Sequence, residues 1–190
     1  MINLLKGEVV NKEPEFRIYT GPMFGSKTTK MLSTLERCLH QNKKVVAFKP
    51  RMDDRYSESQ ICTHAGLKFP AKNVSSGNDI IKMSEGYDVV GVDEAFMIDG
   101  SAAALLKLFF SGKTIVVSSI QLSASGVVFD EIKDILPWAT HVEVCPAVCV
   151  KSGNDAFYTV RKSKLELEIE VGGSDLYEPR SWSNTHFFNF

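Results

Sequence analysis

Short apolar runs alternate with amphipathic stretches along the first three quarters of the chain. The runs are apolar throughout, which is typical of strands buried on both faces of a parallel sheet. The stretches between them place apolar residues at helical spacing. This alternation predicts an α/β fold with a mainly parallel sheet flanked by helices. The predicted strands are 16–20, 44–48, 88–92, 114–118 and 141–144, and the predicted helices are 28–41, 79–84, 101–110 and 129–136.

The pattern changes after Pro146. Segments 157–161 and 166–171 have strand character and are predicted to pair in antiparallel, whereas 179–190 is aromatic and has no regular period. Residues 51–78 are polar and are predicted to form an extended region. The predicted division is an N-terminal extension at 1–15, a nucleotide-binding domain at 16–146 and a small C-terminal β lobe at 147–190.

Composition and charge narrow the class of protein. The chain has 190 residues, of which 44% are hydrophobic, and its four cysteines are too few for a disulfide scaffold. Its formal net charge of −1 argues against a nucleic-acid surface, which needs a basic excess. No apolar run approaches the roughly 20 residues of a membrane span, and the N-terminus lacks the basic region of a signal peptide. We therefore expect a cytoplasmic protein with reduced thiols that binds neither nucleic acid nor membrane.

A phosphate-binding pattern lies between the first predicted strand and helix. It follows G-x-x-x-x-G-K-[ST], in which backbone amides bind phosphates, the lysine adds a cation and the hydroxyl binds Mg²⁺. Ser26 departs from the pattern, because glycine ordinarily allows a positive φ and close approach there; serine is expected to be strained. An ordinary glycine-containing turn is the alternative interpretation. The segment reads Gly21, Pro22, Met23, Phe24, Gly25, Ser26, Lys27 and Thr28.

Two carboxylates follow the predicted strand at 88–92. Asp93 occupies the place of the Walker-B aspartate, which reaches Mg²⁺ directly or through water. Glu94 comes next, and adjacent strand residues point to opposite faces, so we expect separate roles toward metal and toward substrate. Together with the phosphate-binding pattern, this aspartate predicts ATP-dependent phosphoryl transfer.

These motifs resemble those of the thymidine kinases of the cellular, bacterial and poxvirus type. Residues 21–29 resemble the family's G-P-M-F-x-G-K-[ST]-T loop, and Asp93-Glu94-Ala95 resembles its D-E-A-Q. The resemblance extends in order from residue 17 to residue 181. Further matches are Lys49-Pro50 with 53–57 for K-P-x-x-D-x-R-Y-S, 147–149 with 156–161 for A-V-C…A-x-Y-T-x-R, and 170–173 with Asp175 and Tyr177 for the late glycine pair.

The resemblance implies transfer of the ATP γ-phosphoryl group to the 5′-hydroxyl of thymidine, with Mg²⁺, in pyrimidine salvage for DNA synthesis. It implies that Glu94 is the general base, that Thr28 and Asp93 hold Mg²⁺, and that Arg55 neutralises the transferring group. The loop at 21–28 would bind ATP, and the family suggests a homotetramer. The nucleoside would contact Met23, Phe129, Thr159, Val171, Gly172, Gly173 and Tyr177, partly through a lasso-like loop of the C-terminal lobe.

The base side of the predicted site departs from the family pattern. Phe96 replaces the usual Gln after D-E-A, and Gln121 and Ala124 stand near positions that are usually Asp and Phe. These changes leave two alternatives open. One is a non-catalytic nucleotide- or nucleoside-binding relative with a regulatory role, and the other is a kinase for another deoxynucleoside. The compact chain is similar to a phage member of the family.

The predicted zinc ligands are largely missing. Family members hold the small lobe with two C-x-x-C pairs around Zn²⁺. Here Cys149 keeps the first position, Ser152 takes the second, and the later pair falls near Ser181 and Asn184. We therefore expect no zinc and a lobe held by packing. A set of Cys145, Cys149, His141 and His186 is the less favoured alternative.

Overall fold

The computed structural model describes residues 13–52, 59–63, 65–162 and 172–187. Six parallel strands form the main sheet, in the order β5-β2-β6-β7-β1-β8. The strands are β1 (Phe16–Thr20), β2 (Val45–Pro50), β3 (Gln60–Cys62), β4 (Lys68–Pro70), β5 (Lys72–Val74), β6 (Val89–Asp93), β7 (Thr114–Ser118), β8 (His141–Val144), β9 (Ala147–Val148), β10 (Asp155–Ala156), β11 (Tyr158–Arg161) and β12 (Tyr177–Arg180). The helices are α1 (Lys27–His40), α2 (Gly77–Met83), α3 (Ser101–Phe110) and α4 (Asp130–Ile135), with 3₁₀ turns at Ala95–Met97, Leu136–Trp138 and Trp182–Asn184.

The main sheet is covered on both faces, which confirms the predicted fold class. Met31, Leu32 and Leu35 of α1 are buried against one face, as their helical spacing predicts. Helices α2, α3 and α4 cover the other face, over a larger cluster that contains Phe16 and Phe48. Removing apolar surface from water contributes about 25 cal/mol per Å² to the free energy of folding. These two clusters contain most of the buried apolar side chains, so they are the main source of this stabilisation.

The region at 51–78, predicted to be extended, contains three strands among its described residues. Strands β3 and β4 pair in antiparallel, with Ile61 opposite Phe69, and β5 joins the main sheet beside β2. Each of these strands buries only one side chain, which is Ile61, Phe69 or Val74. One buried residue per strand leaves no run of hydrophobic positions, so the polar composition concealed these strands.

The side chain of Trp138 lies outside the core. Its side chain is half-exposed and packs edge-on against Phe110, which is also exposed, at 5.0 Å between ring centroids. The 3₁₀ turn at Leu136–Trp138, which contains Pro137, directs Trp138 away from the sheet. This position therefore lies at the protein surface.

Among its described residues, the C-terminal lobe contains two antiparallel strand pairs, β9 with β10 and β11 with β12. The segment at 166–171, predicted to pair with 157–161, lies outside the described residues. Strand β11 pairs with β12, and the aromatic tail predicted to lack regular structure begins within that strand at Pro179. The pairing of 157–161 with 166–171 stays a prediction. Proline breaks the strand pattern in the sequence because it lacks an amide donor. The domain boundary near residue 146 stays a prediction.

A carboxylate from α4 caps α3, the helix that follows the acidic end of β6. Glu131 accepts hydrogen bonds from the amides of Gly100 (2.8 Å) and Ala102 (2.5 Å) and from the Ser101 hydroxyl (3.1 Å). The same hydroxyl lies 2.9 Å from the carbonyl oxygen of Ala95, so its single proton is shared between these two acceptors. Glu131 therefore fixes the segment that comes immediately after the predicted catalytic base.

We expect Glu131→Ala to lower the free energy of unfolding by about 2–3 kcal/mol, because it removes a charged cap and leaves amides without an acceptor. Equilibrium urea unfolding measures this change. Asp134→Ala is the control, since Asp134 is exposed on the same helix; it should change the free energy by less than about 0.5 kcal/mol. Equal effects of the two variants would contradict the assigned cap.

Candidate active site

A cavity of about 240 Å³ opens at the carboxyl ends of β1, β2 and β6. Loop residues between 23 and 29 form one side, and Asp93 and Glu94 lie across from them at the end of β6. The β3 segment and the residues after it complete the wall. The carboxyl edge of a parallel sheet is the usual ligand-binding edge in α/β folds, so the cavity is the candidate active site.

The phosphate-binding loop lies directly against the backbone that follows β8. A Cβ atom added to Gly21 or Gly25 would lie 2.4 Å from the carbonyl oxygen of Cys145, so neither position has room for a side chain. Phe24 and Ser26 both have positive φ, of 66° and 59°. The strain predicted at Ser26 is therefore confirmed, and Gly25 is required for space rather than for its φ.

We expect Ser26→Gly to raise the free energy of unfolding by about 0.5–1 kcal/mol, because it removes the left-handed strain of a non-glycine residue. The Ser26 side chain makes no capping hydrogen bond that would be lost. Thermal unfolding followed by circular dichroism measures the change. Ser33→Gly, on an exposed position inside α1, should have the opposite sign at about 0.5 kcal/mol. Destabilisation by both variants would contradict the strain assigned to Ser26.

Lys27 is the buried cation of the loop. Its Nζ donates a hydrogen bond to the Pro22 carbonyl at 2.6 Å, which folds the side chain back across the loop. Desolvation by burial lowers the pKa of Lys27, while the carboxylates of Glu94 and Asp93 act in the opposite direction. The loop thus places the Lys27 amine close to the two acids at the end of β6.

Thr28 and Asp93, the predicted magnesium ligands, are brought together by the fold. The Thr28 hydroxyl donates to Asp93 Oδ1 at 3.1 Å and lies 3.4 Å from the Ser118 hydroxyl. Mg²⁺ prefers oxygen ligands and commonly takes only one or two from protein, with phosphates and water completing its shell. The Thr28 hydroxyl and the Asp93 carboxylate are close enough together to supply these one or two protein oxygens to one Mg²⁺.

Glu94 follows the last residue of β6 and does not continue the strand. Its backbone is left-handed, with φ 48° and ψ 47°, and the 3₁₀ turn Ala95–Met97 begins directly after it. The expectation that Asp93 and Glu94 point to opposite faces is therefore wrong, because the backbone turns between them. Both side chains line the same cavity. A non-glycine residue held in this conformation is typical of functional sites, where the surrounding structure offsets the strain.

A hydrogen bond from the loop backbone connects the phosphate-binding loop to the C-terminal lobe. The amide of Met23 donates to the hydroxyl of Thr159 at 2.9 Å, and Thr159 is buried. Met23 also lines the cavity. Tyr177 is buried beside Arg161, whose guanidinium lies 5.7 Å from the ring centroid. Two predicted nucleoside contacts, Met23 and Thr159, are thus adjacent in the structure.

A family model described as thymidine kinase matches residues 15–187. The chain belongs to the thymidine kinase family. It is also similar to a thymidine kinase of Thermococcus kodakarensis, with 33% identity over 176 residues that cover 86% of this chain and 89% of that protein. These findings confirm the resemblance drawn from the sequence motifs and the enzyme class, an ATP-dependent kinase.

The structure does not place all predicted residues of this thymidine kinase at the cavity. Phe129 packs against Phe96, with 4.5 Å between ring centroids, and both rest on the core beneath the sheet. The amide of Gly173, which follows Gly172, donates to Asp175 Oδ1 at 3.0 Å within the lobe. Arg55 and Val171 lie outside the described residues, so their roles stay predictions.

Sequence reasoning gave no role to Lys49, a second lysine of the thymidine kinase cavity. Lys49 lies near the carboxyl end of β2 and is only 3% exposed. The register pairs Phe48 with Val92, which places Lys49 level with Asp93 on the neighbouring strand. A lysine at the end of an apolar parallel strand is the signal that could have identified it, since such ends converge at one edge.

The wall contributed by β3 was also missed. Gln60, Ile61, Cys62 and Thr63 all line the cavity, although their region was predicted only as extended. No helix among the described residues of this thymidine kinase is long and apolar enough to cross a bilayer.

Proposed function

We propose that this thymidine kinase transfers the γ-phosphoryl group of ATP to the 5′-hydroxyl of thymidine in the cavity at the end of β6, with Glu94 as the general base. The observation that carries the proposal is the left-handed turn at Glu94, which brings its carboxylate into the same cavity as the phosphate-binding loop. A carboxylate there can accept the hydroxyl proton as the new P–O bond forms. The attacking oxygen then becomes a phosphate ester oxygen, and ADP leaves.

The loop and its lysine would hold the phosphates during this transfer. The free backbone amides at the start of α1 can donate hydrogen bonds to a phosphate, and the helix dipole makes the potential there favourable for a negative charge. Lys27 is prepared for this role, because a phosphate oxygen can replace the Pro22 carbonyl as acceptor for its Nζ. When bound, Mg²⁺ supplies charge neutralisation at the phosphate oxygens, and Thr28 and Asp93 would hold it. Lys49 adds a second positive charge on the same wall.

Nucleoside recognition is proposed for the side of the cavity that faces the C-terminal lobe. Met23 supplies apolar surface to the cavity, and its amide connects the loop to Thr159 in the lobe. Gly172, Gly173 and Tyr177 are assigned by the family resemblance to the loop over the nucleoside, as are Phe129 and Val171. Apolar contacts with the thymine methyl group would discriminate by roughly 1–3 kcal/mol.

The cytoplasm is the proposed setting. The absence of any disulfide among the four cysteines supports a reducing compartment. The homotetramer implied by the resemblance is also a proposal, and sedimentation equilibrium measures it.

Incubation of the purified protein with γ-labelled ATP, Mg²⁺ and separate nucleosides tests the proposed reaction. We expect label in thymidine 5′-monophosphate, a slower reaction with deoxyuridine, which lacks the methyl group, and none with deoxycytidine. Label in another deoxynucleotide would instead show a different substrate, and binding of thymidine without transfer of label would contradict a catalytic role. A reaction without nucleoside is the control for ATP hydrolysis.

A further inference from the structure

Four polar side chains meet at one point of the C-terminal lobe, and we name this cluster the lobe junction: Cys149, Ser152, Ser181 and Asn184. The hydroxyl of Ser181 is at its centre, since it donates to Cys149 Sγ at 3.5 Å and accepts from Asn184 Nδ2 at 2.9 Å. The hydroxyl of Ser152 lies 3.3 Å from that of Ser181. Cys149 and Ser181 are both buried.

The lobe junction joins two separate parts of the lobe. Cys149 and Ser152 belong to the turn between β9 and β10, and that turn is closed by a hydrogen bond from the Cys149 amide to the Asn154 carbonyl at 2.8 Å. Ser181 and Asn184 come directly after β12. One main-chain hydrogen bond, from Val150 to the Pro179 carbonyl at 3.3 Å, runs between the two parts beside the cluster.

These are the four positions that the family resemblance assigns to two C-x-x-C pairs. Zn²⁺ bound by four thiolates, with Zn–S bonds of about 2.3 Å, separates neighbouring sulfurs by about 3.8 Å. The junction brings side chains from the same four positions together, but their polar atoms lie at hydrogen-bonding distances from one another. One thiol, two hydroxyls and one carboxamide are not a zinc donor set, because zinc takes thiolate, imidazole or carboxylate ligands.

The alternative zinc ligands, which are two cysteines and two histidines, do not come together in the structure. Cys145 is buried in the core cluster next to α1, whereas Cys149 packs with Ala147 and Ala156 in the lobe. The rings of His141 and His186 pack against Tyr19 and Phe187. Within the described residues, which include all four of these side chains, no group of three or more metal-ligating residues converges. The less favoured zinc set is therefore wrong.

We infer that the lobe junction replaces a structural metal centre with a closed hydrogen-bond cluster, and that the lobe of this thymidine kinase is held together without zinc. This inference goes beyond the proposed reaction and does not depend on the role of any catalytic residue. Desolvation by burial opposes ionisation of Cys149, but hydrogen bonds from Ser152 and Ser181 outweigh it and lower the thiol pKa to about 6.

The lobe junction also has a route to the active site. Ser181 continues directly from β12, and β12 pairs with β11, in which Thr159 is opposite Pro179. Thr159 accepts the hydrogen bond from the Met23 amide in the phosphate-binding loop. A rigid junction therefore fixes the strand pair that touches the loop, which is the structural task that a metal centre performs elsewhere.

Metal analysis of protein purified without chelator is the first test. We expect much less than one zinc per chain, and a melting temperature that EDTA leaves unchanged. A stoichiometric zinc content, or a melting temperature that falls on addition of EDTA, would overturn the inference.

The triple variant S152C/S181C/N184C tests the geometry directly. Because the four side chains already converge, we expect it to bind one Co²⁺ per chain, with the visible absorption of a tetrahedral cobalt–thiolate site, and to gain a melting temperature that depends on Zn²⁺. The matched control, S152C/S183C/N184C, moves one thiol to an exposed neighbouring position and should not give that spectrum. A folded triple variant that binds no Co²⁺ would show that the four positions do not converge.

Ser181→Ala tests whether the cluster stabilises the lobe. It removes the central hydroxyl, so we expect the melting temperature to fall by about 3–6 °C. Ser183→Ala, on an exposed side chain two residues later, should change it by less than about 1 °C. Equal melting temperatures of the two variants would overturn the assigned role.

Discussion

Replacement of Glu94 by glutamine should lower kcat for thymidine phosphorylation by about 10²–10⁴-fold, which is the usual contribution of a general base. Glutamine keeps the size of the side chain and its position in the cavity but cannot accept the proton of the 5′-hydroxyl. The KM for ATP should stay close to that of the unchanged protein, because the phosphate-binding loop is untouched. Steady-state kinetics with labelled thymidine at saturating ATP measures both constants.

Glu85→Gln is the matched control for this variant, because it makes the same chemical change at an exposed residue outside the cavity. It should leave kcat unchanged. An unchanged kcat for Glu94→Gln would contradict the role of Glu94 as base, even if thymidine remained the substrate. A fall in kcat accompanied by loss of the folded circular-dichroism spectrum would also contradict the account, which places this residue in the chemistry.

A second large loss of activity is expected when Lys27 is replaced. Replacement by methionine keeps most of the apolar length of the side chain and removes the charge that would contact the transferring phosphates. We expect kcat to fall by about 10²–10³-fold, comparable to the loss of a preorganised transition-state donor, together with a higher KM for ATP. Kinetics with ATP as the varied substrate at saturating thymidine separates these two changes.

Lys30→Met is the matched control, since Lys30 lies on the same helix but is exposed and pairs with Glu143. An exposed ion pair contributes at most about 1 kcal/mol to stability, so this variant should retain full activity. If both variants had the same kcat, the loop lysine would have no role in transfer. Thymidine binding by Lys27→Met, measured by calorimetry without ATP, should match that of the unchanged protein.

Periodicity predicts those parts of the fold that bury several residues in succession. Strands β1 and β7 and helix α3 have the predicted bounds, because each buries several residues at the spacing of its element. Strand β8 also has the predicted bounds, although none of its four residues is buried. Strands β3, β4 and β5 each bury one side chain and depend on neighbours distant in sequence, so no local pattern marks them. Strand β12 was concealed by Pro179 within it.

The candidate site shows the same division between local and tertiary information. The loop and the pairing of Thr28 with Asp93 follow from motif and strand order, because parallel strands end at one edge of the sheet. The turn at Glu94 could not be predicted, since nothing in the neighbouring residues requires a left-handed backbone there. Lys49 enters the cavity through the register of β2 with β6, which only the folded sheet defines.

The C-terminal lobe shows what a family comparison adds and what it leaves open. The resemblance assigns four positions to zinc ligands, and three of them carry no thiol in this chain, but it does not indicate what holds the lobe together. The convergence of Ser152, Ser181 and Asn184 on Cys149 follows from the pairing of β11 with β12 and from the turn between β9 and β10. Hydrogen bonds between side chains distant in sequence have no signature in the sequence itself.

A crystal structure with a bisubstrate inhibitor, in which thymidine is joined through phosphates to adenosine, tests whether the phosphate-binding loop and Glu94 act on the same pair of substrates. We expect the phosphate chain on the amides of the loop at 21–28, with the 5′-oxygen of thymidine, an ester oxygen in this inhibitor, next to the Glu94 carboxyl group. The thymine base should lie on the side of Met23. Thymidine bound elsewhere, or a 5′-oxygen beyond the reach of Glu94 with the phosphates in the loop, would contradict the proposed mechanism.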